Sequence, residues 1–193
     1  MRRTVVLFVG AFAAGLLVVV AAMAGERFVG DSPSADDGPT GFTEFRDEEA
    51  GFAISYPEGW QRVPTGDPQV RLLVTRDRLS SILVRVAELD VEVTAEDLPA
   101  IRSFTDGIVQ QGQDVEVRAD PTQVRISGLP GISYLYTFQD SATDQEGVHL
   151  HYFLFDDATM YTMVMQALPT EAFAELAPTF DAVADSFEVP APS

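Results

Sequence analysis

From Phe42 onward the chain is written in short alternating runs of apolar and polar residues: "FTEFRD", "FAISYP", "VRLLVTRD", "SSILVRVAEL", "DVEVRA", "TQVRIS", "ISYLYTFQD", "VHLHYFLFD" and "TMYTMVMQA". Period-two patterning broken by Gly, Pro and Asp predicts β-strands, and the short connections between them predict mainly antiparallel pairing. Two stretches follow a different period. "TAEDLPAIRSFTDGIVQQG" sets Leu98, Ile101, Phe104 and Ile108 on one helical face, with Thr94 and Asp97 as an approximate capping box and Gly112 as the stop. "TEAFAELAPTFDAVADSF" does the same with Phe173, Leu176, Phe180, Val183 and Phe187, and Pro178 predicts a split or kink within it. The late strands are apolar on both faces, so the sheet needs cover on both sides. The fold class expected is α+β: a mostly antiparallel sheet flanked by helices.

Before the strands lies a different solvent regime. Residues 1–3 carry Arg2 and Arg3, and the 22 residues from Thr4 to Gly25 contain no charge. At ~1.5 Å per residue a helix of that length reaches the ~30 Å of a hydrocarbon layer. Ala22, Met23 and Ala24 also form an A-x-A pattern, so residues 4–25 read either as a transmembrane anchor or as a cleaved signal segment. Both readings keep the arginines in the cytoplasm and place everything after them outside. Residues 26–41, with "GDSPSADDGPT" at their centre, are small, acidic and proline-bearing, the composition of a disordered tether. The domain is then expected over 42–189, followed by a tail, 190–193.

Composition removes several chemistries. All 12 basic residues are arginine and cysteine is absent. Lysine-dependent phosphate loops and Schiff bases are therefore closed to the chain, as are thiolate nucleophiles, disulfides and cysteine-bound metals. The net charge is −18, and after residue 25 only ten arginines face 30 acids. Such a surface repels phosphate backbones and anionic headgroups, so no nucleic-acid partner is expected, and membrane contact is expected only through the N-terminal helix.

The stretch "FRDEEAGFAISYPEGWQRV", a helix after the fourth strand, paired aromatic strands late in the chain and the closing "FDAVADSFEV" resemble the PsbP-like family, which includes the photosystem subunit, a Ran-binding nuclear import factor and LpqN-type exported bacterial proteins. The resemblance covers about Phe42 to Val189. It implies a non-catalytic binding or assembly module without a cofactor, acting on a protein partner or a cell-envelope component. LpqN-type lipoproteins attach through a cysteine that this chain lacks, and no partner-binding surface of the family transfers residue by residue.

Three candidate sites stand out within the domain. His149 and His151, at i and i+2 of one strand, share a face and form half of a metal site, for which Asp140, Asp144 or Glu146 could supply further ligands. The loop Asp140–Gly147 fails the calcium-loop pattern, with Ala142 and Phe153 at ligand positions, and reads as a solvated hairpin. Arg71, Arg76, Arg78 and Arg85 gather in one hairpin with only Asp77 among them, either a docking patch or a set of internal ion pairs. No G-x-S-x-G, H-E-x-x-H or dinucleotide fingerprint occurs, so an enzyme is not expected. The alternatives are a metal-dependent or carboxylate hydrolase, and a carrier holding an apolar ligand under Tyr134, Tyr136, Tyr152 and Tyr161. The lone Trp60 is expected to close over one end of the core after Pro57 ends its strand and Gly59 turns the chain.

Overall fold

The computed structural model describes residues 41–190 apart from 78 and 113. The N-terminal segment, residues 26–40 of the tether expected over 26–41, residues 191–193 of the tail, and Arg78 lie outside the described residues. Among those described, no helix is long and apolar enough to cross a membrane.

The described residues form ten strands and two helices: β1 Phe42–Asp47, β2 Phe52–Pro57, β3 Gln61–Arg62, β4 Val70–Thr75, β5 Ser81–Glu88, α1 Leu98–Val109, β6 Glu116–Val117, β7 Thr122–Ile126, β8 Leu129–Asp140, β9 Gln145–Asp156, β10 Thr159–Ala167 and α2 Ala172–Asp185. Strands β1 and β2 form a hairpin of their own. The rest make one sheet ordered β3-β4-β5-β10-β9-β8-β6, with β7 also on β8, and every pairing is antiparallel. This is the expected α+β architecture. Only β3, two residues long, has no counterpart in the alternation.

Burial explains why β9 and β10 lack clean alternation. One face carries a core of Phe52, Ile54, Leu72, Leu154, Met163, Phe180 and Phe187, covered by the β1–β2 hairpin and α2. The other packs Ile132, Tyr134, Phe153, Phe155 and Met160 against Leu98, Ile101, Ile108 and Val109 of α1. A strand apolar on both sides is stable only when both sides are covered, and here one helix lies on each.

The opening and closing motifs meet in space. Phe52 stacks on Phe187 with centroids 5.8 Å apart, and Ala53 exchanges backbone hydrogen bonds with Glu188. The Ser186 hydroxyl accepts the Ser55 N–H at 2.9 Å, so the far edge of β2 is closed by the chain's own end. Trp60 is buried in the same core, after Gly59 takes a φ of +85° that a side chain would resist.

Both helices differ in detail from their sequence patterns. Helix α1 starts at Leu98 rather than Thr94, because the Asp97 carboxylate accepts the Thr94 N–H and hydroxyl and closes a turn ahead of the helix. Helix α2 runs unbroken through Pro178. Pro178 and Ala174, whose carbonyl loses its intrahelical donor, are both exposed, so water can take the donor's place while Leu176 and Phe180 hold the helix to the core.

Candidate functional site

The hairpin arginines are dispersed. A β-bulge between Val70 and Leu72 turns Arg71 toward β1, where its guanidinium donates to both oxygens of Asp47 at 2.8 and 3.1 Å and to Glu49 at 2.8 Å. This fork holds the Asp47 carboxyl below the usual carboxylate range, against an opposing push from burial and with help from the Ala50 amide. Arg76 bonds Asp77 and reaches Glu175 on α2, both at 3.1 Å. Arg85 is buried, donates to Gln69 and pairs with Asp67 at 3.2 Å. Arg71, Arg76 and Arg85 therefore tie strands to a turn, a helix and a loop, and they do not converge.

What does converge is a different trio. An open cleft of about 580 Å³ between β1 and β4 is lined by Arg46, Arg62 and Arg71, by Asp47 and Glu48, and by Phe45, Pro68 and Val70. Arg71 is occupied by its acids and Arg46 bonds Glu44 at 3.2 Å. Arg62 differs: its guanidinium lies 4.6 Å from the centroid of the Phe45 ring, is exposed, and pairs with no carboxylate among the described residues. Stacking on an aromatic face fixes the plane of the fork and leaves its edge N–H groups available to an incoming anion. The sequence held no sign of this site. Arg62 has no arginine neighbour along the chain, and only the pairing of β3 with β4 brings it to the cleft.

The histidines are joined, His151 fully buried and His149 half-buried. His149 and His151 share a face of β9, and Tyr136 on β8 stands between them, its hydroxyl 3.0 Å from His149 Nδ1 and 3.3 Å from His151 Nδ1. The protons can be placed along this chain of contacts. Gln166 gives its amide N–H to the Leu79 carbonyl, so its Oε1 faces His149 Nε2 at 3.0 Å and that nitrogen must be the donor. His149 Nδ1 is then a bare acceptor for the Tyr136 O–H, and the Tyr136 oxygen accepts from His151 Nδ1–H. His151 Nε2 is left as a lone pair, fully buried, with no hydrogen-bond partner.

Burial depresses both imidazoles, His149 to about 4 and His151 well below its ordinary value, the latter also through its neighbour His149. Both are neutral at pH 7. The acids considered as further metal ligands face elsewhere: Asp140 accepts from Thr143, Asp144 from Gln139, and Glu146 pairs with Arg118 at 2.9 Å. Among the described residues, no group of three or more His, Asp or Glu is placed to hold a metal ion.

The four tyrosines do not line one cavity. Tyr134 and Tyr136 lie in the core under α1, Tyr152 and Tyr161 in the core under α2. Three have their hydroxyls engaged: Tyr134 with Thr105 at 2.6 Å and with Asp106 at 2.8 Å, Tyr136 with the histidines, and Tyr161 with the Ala50 carbonyl at 3.1 Å.

Comparison with known proteins follows the same architecture. The PsbP family profile matches residues 40–189, which is most of the chain and the whole of both cores. The chain belongs to the PsbP family. Among solved structures it is similar to cyanobacterial PsbP (CyanoP) from Synechocystis, with 19% identity, a TM-score of 0.58, and 84% of this chain and 99% of that one covered. It is also similar to LpqN of Mycobacterium tuberculosis, a protein involved in cell envelope biogenesis, with 8% identity, a TM-score of 0.59, and 78% and 91% covered. A Bacteroides thetaiotaomicron protein shares 12% identity over 77% of this chain and 48% of its own length, with a TM-score of 0.55. At such identities the shared property is the fold. No curated protein matches the chain. Within this PsbP domain, the matched span runs from the first strand to the residues that seal β2, so the contact of Phe52 with Phe187 joins the two ends of the family's own span.

Proposed function

We propose that the protein is a non-catalytic binding or assembly module, delivered outside the cell on residues 4–25 and set off from the membrane by the acidic tether, that engages a protein partner or cell-envelope component through the cleft between β1 and β4. The observation that carries this reading is Arg62. Of the arginines described with side-chain contacts, Arg46, Arg71, Arg76, Arg85, Arg102 and Arg118 each pair with the chain's own acids, and Arg125 bonds the Gly128 carbonyl. On a chain of net charge −18, a guanidinium preorganised on an aromatic ring without a carboxylate is a fork held open for a ligand. The description of LpqN as an envelope-biogenesis protein supports the compartment, and family membership supports binding rather than turnover.

The test is site-specific photocrosslinking in intact cells, with the photoreactive residue at Gln61 beside the cleft or at Glu116 on the remote sheet edge. A discrete adduct from position 61 that is lost with Arg62→Gln, together with digestion of the domain by protease added outside the cell, is the expected result. Equal adducts from both positions, or a domain protected until the cells are lysed, would sink the proposal.

A further inference from the structure

The cleft adjoins an open strand edge, and the two together define a ligand. Register in the β1–β2 hairpin places Phe42 opposite Pro57 and Asp47 opposite Phe52, and the Glu58 N–H bonds the Gly41 carbonyl. Hydrogen-bonded pairs alternate along an antiparallel ladder, so Thr43, Phe45 and Asp47 direct their N–H and C=O groups to β2. Pro57, which has no N–H, falls opposite Phe42 at a position that needs none. The backbone groups of Phe42, Glu44 and Arg46 consequently point away from the hairpin, and among the described residues nothing pairs with them. The other side of β2 is closed by Glu188 and Ser186, so β1 is the open edge of this small sheet.

We infer that β1 takes a third strand: an extended segment of a partner protein that pairs with the outward groups of Phe42, Glu44 and Arg46 and sets a carboxylate on the Arg62 fork. The inference rests on the cleft reading above and deepens it. Backbone pairing along an edge supplies affinity without sequence demand, and a side-chain anchor beside it supplies selectivity. Three outward donor–acceptor positions span about 13 Å of strand at ~3.3 Å per residue, enough for a short extended segment. Glu44 and Arg46 on the edge guard against indiscriminate pairing and favour a segment that offers opposite charges in register. Phe42, 40% exposed, gives that segment an apolar contact at one end. Charge selects the occupant as well: the lining residues of the cleft are net positive, three arginines against two acids, on a strongly acidic chain. A second copy of this chain would bring −18 against −18, whereas a neutral or basic partner that presents a single carboxylate at Arg62 meets no such repulsion.

A random library of twelve-residue displayed segments, panned on the full chain in detergent micelles, tests this with two variants that act on different parts of the site. Glu44→Pro removes one outward N–H while leaving the bonds to β2 in place, since proline is tolerated on an edge with its nitrogen facing out. Arg62→Gln removes the fork and keeps a polar side chain. Folding of both is checked by Trp60 fluorescence. The expected result is enrichment of segments that contain a carboxylate, with binding weakened at least tenfold by each variant and slowed hydrogen exchange at the amides of Phe42, Glu44 and Arg46 in the bound state. Binding that falls with Arg62→Gln but survives Glu44→Pro overturns strand addition and leaves the cleft reading standing. Binding indifferent to both variants overturns both, as does a library that yields no enriched segment. Self-association of the chain that is abolished by Glu44→Pro overturns the proposal in favour of a second copy on the edge.

Discussion

Acidification from pH 7 to about pH 4.5 should strip this domain of stability through the half-buried His149 and the buried His151. A free histidine titrates near 6.5, and burial brings His149 to about 4 in the folded state. Between these values the unfolded chain binds a proton that the folded chain refuses. Stability is therefore complete above about pH 6.5 and is lost as pH falls toward 4, the direction linkage requires when the unfolded state holds more protons. For His149 alone, the difference between pH 7 and pH 4.5 comes to about 2.5 kcal/mol. His151, depressed in the same direction, adds to it. Carboxylates begin to titrate at the acid end of this window, and a variant that keeps all 30 acids separates their share from that of the histidines. Equilibrium urea unfolding followed through Trp60, the only tryptophan and a core residue, measures it directly. In a His149→Gln, His151→Gln double variant the slope against pH should flatten by at least the His149 amount, whatever its stability at pH 7. A wild-type stability that does not change across this window, or a double variant with the wild-type slope, would refute the depression of the two imidazoles by burial.

Other perturbations separate the remaining structural claims. Trp60→Ala should lower the unfolding free energy by about 3–5 kcal/mol, as for other large core truncations, and Phe187→Ala should cost as much because it removes the stacking partner of Phe52; circular dichroism melts check both, and near-wild-type melts would place these rings outside the core. Pro178→Ala should raise stability by about 1–3 kcal/mol, since it restores an N–H for the exposed Ala174 carbonyl in a helix that is already formed, and an unchanged or lower urea midpoint would show that the ring packs where the structure leaves it exposed. Arg71→Ala should cost about 1–2 kcal/mol at pH 7, with the exposed arm to Glu49 contributing little. Because Asp47 is held below the usual carboxylate range, that cost should be full above about pH 4 and shrink as the pH falls through it.

Most of the architecture was legible because it depends on local alternation and on the number of apolar faces. Nine alternating runs correspond to nine of the ten strands, and the doubly apolar β8, β9 and β10 announced a sheet covered on both sides. Trp60 and Phe187 could be assigned to the core from the same patterning. The site was less legible, for a reason that is also physical. A run of arginines in one hairpin reads as a surface for a partner, yet a bulge beside Arg71, the place of Arg76 just past the end of β4 and that of Arg85 within β5 send these side chains to Asp47, Glu175 and Asp67. The i and i+2 spacing of the histidines puts them on one face, but their chemistry depends on Tyr136 from the neighbouring strand, which no spacing within β9 reveals. Pro178 misled because its effect is set by which side of the helix it occupies: on the solvent side the lost bond is replaced by water.

Among the described residues, His151 Nε2 and the Arg62 fork have no hydrogen-bonding or ionic partner, and their surroundings give them different roles. His151 Nε2 is a bare acceptor under α1, inside a packed core, at the end of a hydrogen-bonded chain. An unpaired acceptor there costs free energy and gains nothing from solvent, so its consequence is the acid sensitivity of the fold. Arg62 is a bare donor fork at the rim, already oriented by Phe45, and its desolvation on binding is small because it leaves only part of its water behind. A ligand that supplies a carboxylate therefore gains a charge-assisted bond without first breaking an ion pair, which Arg46 or Arg71 would require. That difference predicts an order for cleft substitutions: Arg62→Gln should weaken partner binding more than Arg46→Gln while leaving the unfolding free energy within about 0.5 kcal/mol of wild type. Equal losses of binding from the two, measured on crosslinked adducts from position 61, would mean that the ligand reads only the local charge and not the open fork.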